Sequence, residues 1–276
     1  MPADRGVHIV SHASPSPEAT IGSGEFWIDT QPRPGWQNMA VDHAMFDWAE
    51  TTGRQLWRLY RWEPHCLSFG RHEPAARRYD RARIDALGLD CVRRPTGGRG
   101  VWHARELTYA VAAPVATYGS LQTAYRAIHA VLARAVATLG AAADLADDRS
   151  VPGLGSGPCF AAPVGGEIVI GGKKVLGSAQ RRGDTALLQH GSLLLADDQS
   201  LVRSVHHAAP PTEPPEAPLS AVLGHTVTFD TAAAAVTAAL AGAGLQPVAP
   251  DRPDEVLQRA ALHYDRYRSD TWTWER

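Results

Sequence analysis

The sequence predicts an α+β fold, a mixed, largely antiparallel sheet packed with helices. Three observations predict it. Gly171-Gly172 separates two strand-like runs and marks a two-residue hairpin. Long helical patterns stand among the strands, the clearest over residues 121–139. Strands and helices also follow one another without the regular alternation of a parallel α/β chain, and no internal repeat is visible.

The elements follow in order. Residues 1–23 are rich in Ser, Pro, Ala and His, lack the apolar centre of a signal peptide, and read as a flexible leader ahead of one domain over residues 24–276. A helix is expected from Asn38, as its cap, through Met45, Phe46 and Trp48 to about Thr52. Residues 54–62 (RQLWRLYRW) alternate and predict a strand with one buried face, and residues 65–70 a second strand after Pro64. Residues 77–87 read as helix and 107–113 as strand. Over residues 121–139, Leu121, Tyr125, Ile128, Leu132, Ala135 and Leu139 form one apolar stripe. A loop over about 144–157 precedes strands at 167–170, 173–180 and 185–195. Pro-rich residues 209–218 read as a surface linker. Helices at about 231–241, after an Asp230 cap, and 253–264, after Asp251, make the part beyond about residue 220 helical.

With 276 residues, 44% hydrophobic, 20% charged and a net charge of −2, the chain can bury a real core and is too apolar to be disordered. It has no basic excess for nucleic acid and no apolar run long enough to span a bilayer, so neither partner is expected and the cytoplasm is the default location. Cys66, Cys91 and Cys159 are odd in number and lack C-x-x-C spacing, which suggests neither a disulfide framework nor a cysteine-rich zinc site. Of 27 Lys and Arg residues only two are Lys, the neighbours Lys173 and Lys174. Arg stays protonated in proteins whereas Lys can release its proton, so this pair marks a place where that chemistry is needed, against a background of Arg usage that GC-rich coding explains.

Several chemistries are absent: no Walker A loop, no G-x-S-x-G, no H-E-x-x-H, and no G-x-G-x-x-G between a strand and a helix. The segment RRPTGGRGVWH (93–103) offers glycines for close backbone approach and arginines for an anion, or else is a tight turn with solvated arginines. Cys159 follows Pro158 in a Gly-rich loop, fifteen residues before Lys174. An ammonium nearby favours the nucleophilic thiolate, although a free Cys is more often a small buried apolar residue. Cys66, inside an expected strand, fits the second description. His190, in LLQHGSLLL, reads either as a hydrogen-bonded core histidine or, with Gly191 beside it, as part of a site.

Together these segments resemble the lipoate–protein ligase and octanoyltransferase superfamily. The resemblance is carried by NMAVDHAM (38–45), LYRWEPHCLSFGRHE (59–73), RRPTGGRGVWHARELTYAV (93–111), PCFAAP (158–163), GGKKVLGSAQRR (171–182), LLQHGSLLL (187–195) and YRSDTWTW (267–274). It implies a catalytic domain like that of biotin and lipoate protein ligases. PCF followed by GKKVLGSAQRR is most similar to the cysteine-dependent octanoyltransferases. Ligases usually carry Gly-Arg-Asn-Asp before the Lys hairpin, where this chain has VGGEIVI, and bacterial two-domain ligases carry a further C-terminal domain for which there is little room. Two departures touch the transferase pattern as well: Gly100 stands where Ala is usual, and Ala104 where Asp is usual.

The resemblance implies transfer of an octanoyl group from acyl carrier protein to a lysine of a lipoyl domain, such as glycine cleavage protein H or an E2 subunit, in lipoate biosynthesis. Cys159 is then expected to form a thioester acyl-enzyme, with Lys174, rather than Lys173, lowering its pKa and managing protons; the two lysines of one strand point to opposite faces, so one of them enters the site. Arg94, Gly97, Gly98 and His103 are expected along the acyl groove, with Gly177, Ser178, His190 and Gly191 at its far wall or as an oxyanion contact. No metal or nucleotide cofactor is called for, because the thioester carries the driving force, and a monomer is expected. The alternatives are an ATP-dependent lipoate–protein ligase and a non-catalytic acyl-protein binder; a biotin ligase fits poorly, its Gly-Arg-Gly-Arg type loop being unmatched by GGRGVW. Residues 71–105 hold nine Arg against four acids, a local +5 that is either a docking surface for an acidic partner or a solvated face.

Overall fold

The structure, a computed structural model, describes residues 21–145, 167–208 and 216–275. In chain order it begins with β1 (Glu25–Ile28), α1 (Gly35–Thr52), β2 (Leu56–Tyr60), β3 (Cys66–Phe69), the short helices α2 (Ala75–Arg78) and α3 (Arg81–Ala86), β4 (Asp90–Arg93), β5 (Val101–His103) and β6 (Glu106–Pro114). After α4 (Val115–Tyr118) and α5 (Leu121–Thr138) come β7 (Asp144–Leu145), β8 (Ile168–Ile170), β9 (Lys173–Lys174), β10 (Leu176–Arg182) and β11 (Ala186–Leu194). The chain closes with α6 (Ser200–Ser204), α7 (Leu219–Leu223), α8 (Phe229–Gly242), β12 (Gln246–Pro247), α9 (Arg252–Ala260), α10 (Tyr264–Arg268) and α11 (Asp270–Trp274).

The main sheet runs β10-β11-β6-β2-β1-β12. Its first three pairings are antiparallel and its last two, β2 with β1 and β1 with β12, are parallel. This is the mixed, largely antiparallel sheet expected. Helices α5 and α8 cover one face and α1, α9 and α10 the other, with a separate apolar cluster on each side. A second sheet, β4-β3-β5, carries the loop at 94–100, and a third is β7-β8-β9. No helix among the described residues is long and apolar enough to cross a membrane.

Covering both faces explains one departure from expectation. β2 is buried at all five positions rather than on alternate ones, because Trp57 and Leu59 face α5 while Leu56, Arg58 and Tyr60 face α1. Helix α1 starts at Gly35, not at Asn38, and Pro34 precedes it. The Asn38 amide instead donates to the carbonyls of Arg33 and Arg61, at 3.1 and 3.0 Å.

Residues 77–87 split into two short helices, because Tyr79 takes an extended conformation that turns its ring inward onto Phe69 and Asp80 caps the second helix. The expected strand at 173–180 breaks at Val175, whose N–H bonds the Ile168 carbonyl while its own carbonyl accepts from Leu194, so the chain passes there from one sheet to another. Thr228, not Asp230, caps α8. Asp251 precedes α9 without capping it, and that helix ends at Ala260 before a turn of 3₁₀ helix.

The hairpin is as read: Gly171 and Gly172 have φ of 55° and 74°, the left-handed pair of a tight two-residue turn. Of the expected leader, Ile21 is buried in the core. Of the expected linker, Ala217 is buried and its N–H bonds the Lys174 carbonyl, so this end is docked rather than on the surface.

Candidate active site

Side chains alternate along a strand, so the α1-facing side of β6, β10 and β11 presents Thr108, Ala179, His190 and Ser192 together. With Met39 of α1, Trp62 after β2, Val101 and His103 of β5, and Arg94, they line a narrow pocket of about 30 Å³, in which Gly177 and Gly191 supply backbone walls. The lining is mostly apolar, and Met39 offers an adaptable surface for a flexible chain.

Two histidines flank this pocket, each held between a carboxylate and a hydroxyl. His190 Nδ1 lies 2.8 Å from Asp42 Oδ2, and its Nε2 lies 2.6 Å from Thr96 Oγ1. Burial, opposed by Asp42, lowers its pKa, so the ring is neutral, donating to Asp42 and accepting from Thr96. His103 repeats the pattern, with Nδ1 2.7 Å from Glu106 Oε1 and Nε2 2.6 Å from Ser68 Oγ. Trp62 stacks on His103 with ring centroids 4.0 Å apart and donates to Thr108 at 2.7 Å. Ser192 and Thr108 both donate to Glu106 Oε1.

These chains fix the loop rather than expose a base. Thr96 belongs to the TGG segment, so His190 ties that loop to the sheet. Arg94 donates to Ser68 Oγ at 2.6 Å and to the carbonyls of Gly97 and Arg99 at 3.1 and 2.8 Å, so its guanidinium braces the loop from inside. Arg93 is fully buried and donates to carbonyls of Gly70, Glu73 and Thr273, clasping α11. Ser68, His103 and Glu106 have the order of a hydrolytic triad, but Ser68 is fully buried and does not line the pocket, so its hydroxyl is a brace and not a nucleophile.

Below the pocket, Arg58 is fully buried and bonds Asp29 at 2.7 Å, Asp42 at 3.0 Å and the Asn38 side chain at 2.7 Å. Tyr60 also donates to Asp42, at 2.7 Å. This platform sets the carboxylate that orients His190. Asn38 and Asp42 stand four residues apart on one face of α1, a spacing visible in NMAVD.

The other face of the sheet holds a second polar cluster. Lys174 is buried and its Nζ lies 2.7 Å from Glu167 Oε1, which also accepts from Tyr125 at 3.2 Å, while Lys173 is exposed. Ser178 turns to this side and meets Tyr109 at 2.7 Å and His129 at 2.9 Å. A β-carbon on Gly191 would lie 2.3 Å from Ser178 Oγ and 2.5 Å from the Gly177 carbonyl, so only glycine lets β10 and β11 pair here.

Known proteins match this architecture. A family model described as the lipoyl protein ligase A/B catalytic domain matches residues 34–241. An octanoyltransferase LipM of an Exiguobacterium species is 32% identical, over 92% of this chain and 100% of its own length. One of Geobacillus kaustophilus is 38% identical, over 66% of this chain and 69% of its own. The chain belongs to the lipoyl protein ligase A/B catalytic-domain family. Among solved structures, lipoate-protein ligase A bound with ATP superposes with a TM-score of 0.73 at 19% identity, covering 91% of this chain and 98% of that one. The protein Ta0514 from T. acidophilum, solved with bound lipoic acid, gives 0.71 at 18%, covering 92% of this chain and 100% of that one.

Within this family fold the expected site residues separate into groups. Arg94, His103, Gly177, His190 and Gly191 line the pocket. Gly97 and Gly98 lie in the loop above it, where the Gly98 carbonyl sits so close to Gly70 that a β-carbon there would lie 1.9 Å from it. Lys174 and Ser178 face the α5 side. Cys159 lies outside the described residues. Cys66 and Cys91 are poor nucleophiles, since burial pushes the Cys66 thiol well above its ordinary range and that of Cys91 up to about 12. Asp42, Thr96, Glu106, Ser68 and Trp62 were not singled out in the sequence; all five stand inside segments quoted for the resemblance, but without their partners nothing gave them a role.

His43, Asp47 and His263 also converge, with ligand atoms within 4.8 Å of one another. The two imidazoles stack at 4.0 Å and 10°, so their in-plane lone pairs run side by side instead of meeting at one point, and Arg181 lies 3.0 Å from His43 Nε2. The cluster is a latch between α1 and the segment that joins α9 to α10.

Proposed function

We propose that the protein transfers an octanoyl group from a carrier-protein thioester to a lysine of a lipoyl-domain protein, through a thioester on Cys159. The Cys159 thiolate attacks the thioester carbonyl, the tetrahedral intermediate collapses, and the carrier leaves as its thiol. The neutral amine of the acceptor lysine then attacks the acyl-enzyme, expels Cys159 and loses one proton as the amide forms. Lys174 is the group assigned to hold Cys159 as thiolate, and Glu167, 2.7 Å from its Nζ, gives it a partner across which a proton can pass.

The observation that carries this reading is the joint likeness, over nearly the whole chain, to a curated octanoyltransferase. The narrow pocket has a mostly apolar lining, the Lys174–Glu167 pair supplies a buried proton donor and acceptor side by side, and burial raises the thiol pKa values of the two described cysteines too far for them to serve. Incubation with octanoyl carrier protein in the absence of ATP is expected to place an octanoyl group on Cys159, seen by intact mass and peptide mapping, and then on an added lipoyl domain. Full transfer by Cys159→Ala removes the acyl-enzyme, and transfer only from free lipoate plus ATP makes the protein a ligase.

A further inference from the structure

A second cavity, of about 430 Å³ and far larger than the first, shares Trp62 with the pocket. Because Trp62 lines both, the two cavities are neighbours, close enough for one extended molecule to be considered as the ligand of both. Two buried polar atoms of residues lining the second cavity have no partner among the described residues: Glu106 Oε2 and Arg61 Nε. Glu106 is only 3% exposed, and its other oxygen, Oε1, is fully engaged by His103, Ser192 and Thr108. Arg61 lies over the Phe229 ring and donates from Nη2 to the Thr30 carbonyl, leaving Nε–H unused.

The orphan pair has opposite hydrogen-bonding sense, one acceptor and one donor, and buried polar groups demand partners. A secondary amide supplies both, its N–H for Glu106 and its carbonyl for Arg61. A phosphate or carboxylate would satisfy Arg61 but would set negative charge against the buried Glu106, so an anionic group does not fit this end. Phe229, Val227 and Leu195 give the remaining wall an apolar surface for methylene links.

We propose that this cavity receives the amide-linked thiol arm of the acyl donor, a pantetheine-type chain, with amide groups on Arg61 and Glu106 and the acyl tail passing beyond Trp62. This rests on the reading that the donor is a carrier-bound thioester. It places the donor arm on a different surface from the acyl tail, and it gives Glu106 two jobs: Oε1 orients His103, and Oε2 recognises the donor.

The test uses the full chain and two donors, S-octanoyl-pantetheine and the amide-free S-octanoyl ethanethiol. Wild type is expected to prefer the first by about tenfold or more in kcat/KM, the order expected for hydrogen bonds to buried charged groups. Arg61→Lys keeps the charge and removes Nε–H, and Ala104→Leu fills the cavity from a position outside the acyl pocket. Both are expected to erase the preference and to weaken direct binding of pantetheine, read by ligand-observed NMR, by about tenfold. Equal use of the two donors by wild type overturns the proposal. So does a rise in KM for the lipoyl domain with no change for octanoyl-pantetheine, which assigns the cavity to the acceptor backbone, and so does displacement of pantetheine by AMP. Absence of transfer from either donor strikes the proposed function instead, and the binding measurement still reports on the cavity.

Discussion

The Gly100 N–H lies 3.2 Å from the Tyr79 hydroxyl, and a β-carbon built on Gly100 would fall 2.3 Å from that oxygen and 2.9 Å from the carbon bearing it. This accounts for glycine where Ala is usual: here the methyl's place is taken by a tyrosine whose hydroxyl also donates to the buried Glu73 at 2.8 Å. Gly100→Ala is therefore expected to cost about 1–3 kcal/mol, read as a lower urea midpoint. Tyr79→Phe alone should cost about 1–3 kcal/mol through its two lost hydrogen bonds, from the Gly100 N–H and to Glu73. The double variant should cost less than the sum of the two, because removing the hydroxyl opens part of the space the methyl needs. Strict additivity would show that the contact is not what excludes a side chain at Gly100. The sequence marked Gly100 as a departure but could not explain it, since Tyr79 is brought there by the inward turn between α2 and α3. His190, His103, Arg94, Gly177 and Gly191 sit inside short motifs that draw attention to them, and the structure brings them together around one pocket. Asp42 drew no such attention, because its role is defined by a histidine 148 residues away.

Elements show the same division between local and distant causes. The stripe of α5, the Gly171-Gly172 turn and the strands β6 and β11 follow from local pattern, and the structure has them close to where the pattern put them. Helix α1 carries no such pattern: it is buried on most sides, between the sheet and α9–α10, so Asn38, Asp42 and His43 are interior polar residues rather than a solvent face. The packing of α1 against the last helices is fastened by His43, which contacts Tyr267 at 3.0 Å, Arg181 at 3.0 Å and the stacked ring of His263, with Asp47 on the same helix. Burial, then the neighbouring His263 charge, pushes the His43 pKa down to about 3, against the raising effect of Asp47. The folded protein thus holds this ring neutral, whereas the unfolded chain binds a proton below about pH 6.5. Stability is therefore full above that pH and falls as acid is added towards pH 3, by about 1.4 kcal/mol per pH unit from this residue alone. Thermal melts between pH 7.5 and 4.5 should show the decline, and His43→Gln should flatten it. An unchanged slope in that variant would place the acid sensitivity elsewhere, with His190 as the next group whose pKa burial lowers.

For the molecule as a whole, the charge count of residues 71–105 overstates the surface field. Arg93 and Arg94 are interior and bond backbone carbonyls, Arg78 is paired with the buried Glu73, and Arg81 and Arg105 reach Asp270 and Asp197. What faces solvent from this stretch is narrower and centres on Arg77 and Arg83, both exposed on the short helices α2 and α3. These helices pack in the cluster that includes Phe69 and Tyr79, next to the loop above the pocket lined by His103 and His190, so a partner held there stands beside that pocket without entering it. Acidic carrier proteins and lipoyl domains suit such a patch, and steering by exposed charge acts on the association rate and fades as salt rises. Reversing Arg78 would confound the test by setting a second carboxylate against Glu73, whereas Arg77→Glu with Arg83→Glu changes exposed charge alone. At low ionic strength this double variant is expected to lower kcat/KM for the carrier-bound donor by about three- to tenfold, with kcat preserved. Its rate should also depend less steeply on salt than the wild-type rate, the two converging near 0.5 M or above, where the screening length is only about 4 Å. An unaltered salt dependence would make this face an ordinary solvated surface and move the docking site to another side of the molecule.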